Sequence, residues 1–231
     1  MSDDPRATDP TGDAGAEYEM VVREVRQAPI EGTYTPLTFV TSRGDVLCHY
    51  YAVPATRSGV IWVGGVGGGF DSPANQLYPR LACAFQAEGI ASLRVRYRYA
   101  TKLEECVLDV VAALGWLENE GFERLALVGH SLGGAVVIQA GTTSERVRAV
   151  VSLATQGYGA DSVMELGPQC AILLLHGRGD QVLPPQCSEF IFQMAHEPRR
   201  LVLYDGAGHG LDEVAFEVEQ VVREWLRARL T

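Results

Sequence analysis

The sequence predicts an α/β fold, a mostly parallel central sheet of about eight strands with helices on both faces of the sheet. From residue 38 onward, short apolar runs rich in β-branched residues alternate with longer segments whose apolar residues recur at helical spacing. The short runs are continuously apolar, which is typical of parallel strands buried on both faces. With 231 residues, the chain is long enough for one such domain and does not require a second.

The first half of the domain begins with a hairpin and continues with strand and helix in turn. TFVTS and VLCHYYAVP flank a turn at residues 43–45, and GVIWVGG is predicted to be a buried strand that ends in glycines. Pro73 begins a helix that ends at Gly89, since proline is favoured at the first helical position and glycine after the last. IASLRVRYR is the next strand, and residues 102–120 form a helix with one apolar face.

The second half continues the same alternation. Its predicted strands are RLALVGHS, VRAVVSLAT, CAILLLHGRGD and RRLVLYDGAGHG. Its predicted helices are LGGAVVIQAG, PPQCSEFIFQMAH and the closing amphipathic segment DEVAFEVEQVVREWLRARL. Parallel strands bring the loops at their carboxyl ends to one edge of the sheet, so residues in those loops are the first candidates for a functional site.

The N-terminal residues differ from the rest in composition. Residues 1–17 contain Asp, Pro, Gly and Thr and almost nothing to bury, so we expect a disordered acidic tail followed by a single domain over 18–231. The mixed pattern of residues 18–35 fits either an added strand or a short helix, and the sequence does not choose between them.

Charge and hydropathy exclude several classes of partner. A net charge of −10 argues against nucleic acid or an anionic membrane as the main partner. No apolar stretch reaches the ~18 residues of a membrane span, and the N-terminus lacks a secretory pattern. The five cysteines are scattered without a CxxC pair, so we expect free thiols, no metal site and a cytoplasmic protein.

A G-x-S-x-G motif is centred on Ser131, within LVGHSLGGAV. A serine in a sharp turn between strand and helix is strained, and Gly129 and Gly133 must be small to avoid a clash. Such a turn exposes the hydroxyl at the edge of the sheet and points the amide of Leu132 into the same space. The motif follows a predicted strand and opens a predicted helix, so Ser131 is the candidate nucleophile.

A serine nucleophile needs a base and an acid that orients the base. Within CAILLLHGRGD, a strand that runs into a loop, Asp180 lies in the loop, and His209 lies in the loop after the last strand, which gives the chain order Ser, Asp, His. Asp205, which ends a strand close to His209, is an alternative orienting acid. We expect structural roles for His130 and His176, the first within the serine turn and the second packed in the loop that follows the strand before Asp180.

These motifs resemble those of the α/β-hydrolase superfamily. GHSLGG is similar to its nucleophile turn, HGRGDQVLP to its acid loop and GAGHG to its histidine loop, and the likeness extends over residues 38–229. Within the superfamily, the chain most resembles small bacterial dienelactone-hydrolase-like and carboxylesterase-like serine hydrolases. Two departures matter: dienelactone hydrolases proper have a cysteine nucleophile, and only residues 156–169 stand where many relatives insert a lid. The resemblance therefore implies an α/β-hydrolase fold without a large cap domain.

The glycine-rich stretch VGGVGGGFDSP has three interpretations. A phosphate-binding Walker loop is disfavoured because Phe70 and Asp71 stand where lysine and a hydroxyl residue are required. A dinucleotide fingerprint lacks its third glycine and the ribose-binding acid. The resemblance implies the third interpretation, in which the loop supplies one backbone amide of an oxyanion hole and Leu132 supplies the other. Alignment nominates the amide of Val66, with Gly67 as the alternative.

The sequence thus predicts a serine hydrolase that cleaves short-acyl esters or lactones and uses no cofactor or metal. The loops around Ser131 nominate residues for the substrate pocket, namely Gly67, Phe70, Gln156, Tyr158 and Leu183. Acyl transfer or thioester cleavage by the same three residues is one alternative, and a non-catalytic small-ligand-binding protein is another. The expected partner is a small-molecule ester, and the sequence leaves the oligomeric state open.

Overall fold

In the part of the chain that the structure describes, nine strands form one sheet, and this sheet is mostly parallel, as predicted. The structure is a computed structural model, and it describes residues 19–231. The strands are β1 (Val22–Gln27), β2 (Thr35–Thr41), β3 (Gly44–Tyr51), β4 (Ser58–Val63), β5 (Ala91–Arg96), β6 (Arg124–His130), β7 (Val147–Leu153), β8 (Ala171–Gly177) and β9 (Arg199–Tyr204). Their order across the sheet is β1-β2-β3-β5-β4-β6-β7-β8-β9, and β5, β4 and β6 to β9 pair in parallel.

Helices cover both faces of the sheet, which confirms the layered architecture. The helices are α1 (Pro73–Ala87), α2 (Leu103–Asn119), α3 (Leu132–Gly141), α4 (Gln186–Met194) and α5 (Ala215–Leu230). One cluster of buried apolar side chains joins α1 and α5 to one face, and a second joins α2, α3 and α4 to the other. Strands β4 and β8 are buried along their whole length, as the continuous apolar runs predicted.

The segment whose structure the sequence left open contains an edge strand. Strand β1 pairs antiparallel with β2, and it is the strand beyond the predicted number of about eight. Val22 and Val25 pack against the core while the charged residues between them are exposed. An edge strand buries only part of one face, so its pattern is mixed. The predicted acidic tail, residues 1–17, lies outside the described residues.

The connection between β7 and β8 is short and forms no large cap. Its only regular element is a 3₁₀ helix, Asp161–Glu165. The predicted absence of a cap over residues 156–169 is therefore confirmed.

Strands β4 and β6 are neighbours, although β5 lies between them in the sequence. The chain leaves β4 toward one side of the sheet and returns to β6 on the other side. Loops at such a switch point separate and leave a crevice at the carboxyl ends of the strands, where α/β proteins bind ligands. The glycine-rich loop follows β4 and Ser131 follows β6, so both lie at this crevice.

Candidate active site

Ser131 lies in a strained turn between β6 and α3. Its φ of 58° and ψ of −119° are outside the regions that residues with a side chain ordinarily adopt. A Cβ at Gly129 would overlap the carbonyl oxygen of Gly133, and a Cβ at Gly133 would overlap that of Gly64. The steric reason for the two glycines of the motif therefore holds. The serine is 8% exposed.

Asp180 and His209 form a hydrogen bond in the loops after β8 and β9. His209 Nδ1 donates to Asp180 Oδ2 over 2.7 Å. The other carboxylate oxygen, Oδ1, accepts from the amides of Val182 at 2.8 Å and Leu183 at 2.9 Å. The Asp180 side chain is 0% exposed and that of His209 20% exposed. Since Nδ1 carries the proton, Nε2 of neutral His209 is the nitrogen that can accept one.

Hydrogen bonds keep Asp180 in its charged form. Burial by itself would raise the pKa of this carboxyl group. The bonds from His209 and from the amides of Leu183 and Val182 outweigh burial, and the pKa of Asp180 lies below its ordinary value. The site therefore contains a buried carboxylate beside a partly exposed imidazole.

Backbone packing holds the acid loop against the histidine loop. The amide of Gly179 donates to the carbonyl of Ala207 over 3.0 Å. A Cβ at Gly177 would overlap that same carbonyl oxygen. The glycines of HGRGD thus allow the two loops to approach closely enough for Asp180 and His209 to bond.

The alternative acid, Asp205, pairs with Arg178 and forms no hydrogen bond or ion pair with His209. Its carboxylate lies 3.1 Å from the guanidinium of Arg178, and the Asp205 side chain is 93% exposed. Asp180 is therefore the acid that the structure brings to His209.

His130 connects the histidine loop to the serine turn. Its Nε2 donates to the carbonyl oxygen of His209 over 2.9 Å, and the two rings are 4.7 Å apart. Burial lowers the pKa of His130, which keeps the ring neutral. Because His130 precedes Ser131 in the chain, this bond holds the backbone of His209 beside the serine.

The glycine-rich loop passes directly over Ser131. A Cβ at Gly65 would lie 3.1 Å from the Cβ of Ser131 and 3.6 Å from its Oγ. Val66 follows immediately and is 57% exposed. The amide of Gly68 donates to the carbonyl of Gly65 over 3.2 Å, which closes a turn over this part of the loop. The absence of a side chain at Gly65 leaves the space above the serine open.

A cleft of about 410 Å³ lies between this loop and the start of α2. It brings together four residues predicted from the sequence, Val66, Leu132, Gln156 and Tyr158. Sequence reasoning missed the cleft residues Thr101, Lys102, Leu103 and Glu104. Their position after β5, at the carboxyl edge of the sheet, was the signal that could have found them. Lys102, the single lysine of the chain, has its ammonium 5.3 Å from the ring centre of Tyr99.

Three predicted pocket residues lie outside the lining of this cleft. Phe70 stacks on His49, the backbone of Leu183 contacts Asp180, and Gly67 faces the carboxylate of Asp71. A role for these three in binding substrate stays a prediction.

An aromatic stack anchors the end of the glycine-rich loop. The ring of His49, from β3, lies between Tyr34 at 3.9 Å and Phe70 at 3.5 Å. The buried guanidinium of Arg94 donates to the carbonyl of Phe70. These contacts tie the loop to the antiparallel half of the sheet.

His49 should make the stability of the protein depend on pH. Burial, helped by the charge of Arg94, lowers the pKa of His49 from 6.5 to about 4. Between these values the unfolded chain binds a proton that the folded protein excludes, so stability falls as the pH falls from 6.5 toward 4. His49→Phe keeps the stack and removes the titration. We expect the Tm advantage of this variant to grow by about 2–4 °C over that range, and parallel Tm curves would contradict this account.

Other surfaces offer less chemistry. A larger groove of about 620 Å³ lies between β1 and α2, away from all the predicted site residues. Within residues 19–231 we find no group of three His, Cys, Asp or Glu side chains placed to hold a metal ion. Over the same residues, no helix combines the length and the apolar character that crossing a membrane requires.

Residues 67–221 match the dienelactone hydrolase family. Among solved structures, a dienelactone hydrolase from Anabaena variabilis is similar, with 19% identity and a TM-score of 0.74 over 87% of this chain and 100% of that one. Est1E from Butyrivibrio proteoclasticus has 14% identity and a TM-score of 0.69, over 89% and 98% of the two chains. The esterase domain of a Rhodothermus marinus protein has 19% identity and a TM-score of 0.66, over 90% and 100%. At identities this low, the structural likeness establishes a shared fold.

A curated relative matches a shorter part of the chain. The protein YfhR of Escherichia coli K12 is 30% identical over 109 residues, an alignment that covers 38% of this chain and 38% of YfhR. The match thus spans well under half of that relative.

Proposed function

Since the chain belongs to the dienelactone hydrolase family of carboxylic ester hydrolases, we propose that it cleaves short-acyl esters or lactones through an acyl-enzyme formed on Ser131. The observation that carries the proposal is the 2.7 Å bond between His209 Nδ1 and the buried carboxylate of Asp180. The pair is linked to the strained serine turn through His130, the residue before Ser131, whose ring donates to the carbonyl oxygen of His209. A base oriented by a buried carboxylate is the arrangement that activates a hydroxyl nucleophile.

In the proposed mechanism, Ser131 Oγ attacks the ester carbonyl carbon while its proton passes to Nε2 of His209. Asp180 stabilises the imidazolium that forms and keeps the ring in the correct tautomer. The tetrahedral intermediate collapses, and the leaving alkoxide takes the proton from His209. Water then attacks the acyl-enzyme, His209 accepts a proton from that water and returns one to Ser131, and the carboxylic acid is released.

The amides of Val66 and Leu132 are the proposed donors to the oxyanion. Both residues line the cleft beside Ser131, and Leu132 is the first residue of α3, where backbone amides lack partners within the helix. Donors fixed in advance stabilise the negative charge of the tetrahedral intermediate without reorganising during the reaction. Gly67 stays the alternative to Val66.

Substrate size follows from the open cleft. Its volume of about 410 Å³ and the lack of a cap suit small esters that reach the serine from solvent. Val66, Leu103 and Leu132 give part of the lining an apolar character that fits a short acyl chain.

An activity screen tests this function. We expect the full-length protein to hydrolyse p-nitrophenyl acetate and butyrate, or a lactone, with higher kcat/KM than the dodecanoate ester. Faster cleavage of thioesters, or product diverted to an added alcohol, would instead support thioesterase or acyltransferase activity. No turnover together with no labelling by a fluorophosphonate would favour a ligand-binding protein.

Gly65 provides a test of the space above the serine. A methyl group from Gly65→Ala would lie 3.1 Å from the Cβ of Ser131, which is tight, and would crowd the oxyanion site. We expect kcat to fall by about 10- to 100-fold with little change in Tm. Gly115→Ala, in α2 and with open space at its Cβ, is the matched control. It should keep full activity and gain about 0.5–1 kcal/mol in stability, and equal kcat values for the two variants would contradict the proposal.

A further inference from the structure

We propose that His176 is a positioning residue, which with Ser188 fixes the carboxylate of Asp180 against His209. This inference rests on the proposed function, because it assigns a task within the same group of residues. His176 is the penultimate residue of β8 and is fully buried. Sequence reasoning gave it only a packing role.

Both ring nitrogens of His176 have partners. Nε2 lies 3.1 Å from Asp180 Oδ2 and 3.1 Å from the carbonyl oxygen of Leu183. Nδ1 lies 2.7 Å from the hydroxyl of Ser188, a residue of α4 that is also fully buried. The ring thus connects α4 to the acid loop.

The partners determine the tautomer. A carboxylate and a carbonyl can only accept, so Nε2 carries the proton and donates to Asp180. Nδ1 is then the acceptor, and the hydroxyl of Ser188 donates to it. Burial lowers the pKa of His176, which keeps the ring neutral. His176 is therefore a neutral donor that does not compete with His209 for a proton.

The carboxylate of Asp180 is consequently held by donors on both of its oxygens. Oδ1 accepts the amides of Val182 and Leu183, and Oδ2 accepts from His209 and His176. These four bonds leave the group little freedom to rotate away from His209. The bond from His176 also withdraws negative charge from the oxygen that His209 uses.

Loss of the His176 bond has a predictable effect on pH dependence. The charge on Oδ2 would increase, the imidazolium form of His209 would be stabilised, and more of the enzyme would carry a protonated base at a given pH. The acid limb of the pH–rate profile should therefore move to higher pH. The other titratable groups nearby are His130, which packs on His209, Asp71, whose charge acts on His130, and Glu213, whose carboxylate accepts from the amide of Gly208. Arg178 is paired with Asp205.

His176→Phe and His176→Gln test the inference. In His176→Phe the phenyl ring has no hydrogen-bond donor, so we expect kcat to fall by about 10- to 100-fold with KM nearly unchanged. The acid limb of the pH–rate profile should move to higher pH. The side-chain amide of Gln can donate from nearly the same position. It should restore much of kcat and return the acid limb toward its wild-type pH. His196→Gln, which changes an exposed histidine of the α4–β9 connection, is the control and should behave as wild type.

A measurement that does not depend on activity keeps the test decisive if His176→Phe folds poorly. In ¹⁵N-histidine spectra of the full-length protein at neutral pH, assigned with His176→Gln, His176 should be neutral and protonated at Nε2. A proton on Nδ1 would overturn the inference. Wild-type kcat and an unmoved acid limb in a folded His176→Phe would also overturn it, while leaving Ser131, Asp180 and His209 in their proposed roles. Failure of the proposed function is recognised separately, by activity that survives Ser131→Ala.

Discussion

Ser131→Ala is expected to lower kcat for a p-nitrophenyl ester by about 10⁵-fold. Alanine removes the oxygen that would form the acyl-enzyme but keeps the Cβ, so the backbone strain of the turn is unchanged. The remaining activity would come from the oxyanion donors and from binding alone. KM for the slow remaining reaction should stay within a few-fold of the wild-type value, since the cleft keeps its lining.

The matched control is Ser144→Ala, which changes a half-buried serine after α3 that bonds to Glu118 and to the amide of Arg146. It should retain wild-type kcat, and both variants should fold. If Ser131→Ala retained wild-type turnover, the nucleophile would lie elsewhere and the proposed mechanism would be wrong.

Asp180→Asn is expected to lower kcat by about 10³- to 10⁴-fold. The Oδ1 of asparagine can still accept from the amides of Val182 and Leu183, so its Nδ2 is turned toward His209. An amide that donates to His209 Nδ1 favours the tautomer whose Nε2 is protonated. That tautomer cannot accept the proton of Ser131.

The asparagine should also lower stability, because its Nδ2 faces the buried donor of His176. Asp205→Asn is the control, since Asp205 is exposed and paired only with Arg178. Comparison of kcat and Tm for the two variants checks this prediction. Equal kcat values would show that Asp180 does not orient the base.

Most of the fold could be predicted because parallel strands buried on both faces leave a strong apolar pattern. The loops that carry Ser131, Asp180 and His209 could be placed at one edge of the sheet, since each follows a strand of its parallel part. Strand β1 could not be assigned from the sequence. Its apolar residues Val22 and Val25 are three positions apart with exposed charged residues between them, and this spacing also fits a helix. Its identity depends on pairing with β2, which is a contact between distant segments.

The parts of the site that the sequence did not predict depend on loops that fold back. The bond from His176 to Asp180 forms only because the glycine-containing turn between them reverses the chain. The position of Phe70 depends on His49, a residue of the antiparallel half of the sheet. Residues 101–104 reach the cleft because α2 begins beside the glycine-rich loop. None of these contacts has a sequence pattern of its own.

The central claim is that a covalent intermediate forms on Ser131, and mass spectrometry of the full-length protein tests it most directly. After reaction with a fluorophosphonate, digestion with trypsin should place the adduct on the peptide of residues 125–146, which contains Ser131 and Ser144. Fragmentation of this peptide separates the two serines. We predict one adduct per chain, on Ser131, and none in Ser131→Ala. An unlabelled wild-type protein, or an adduct on another residue, would contradict the account.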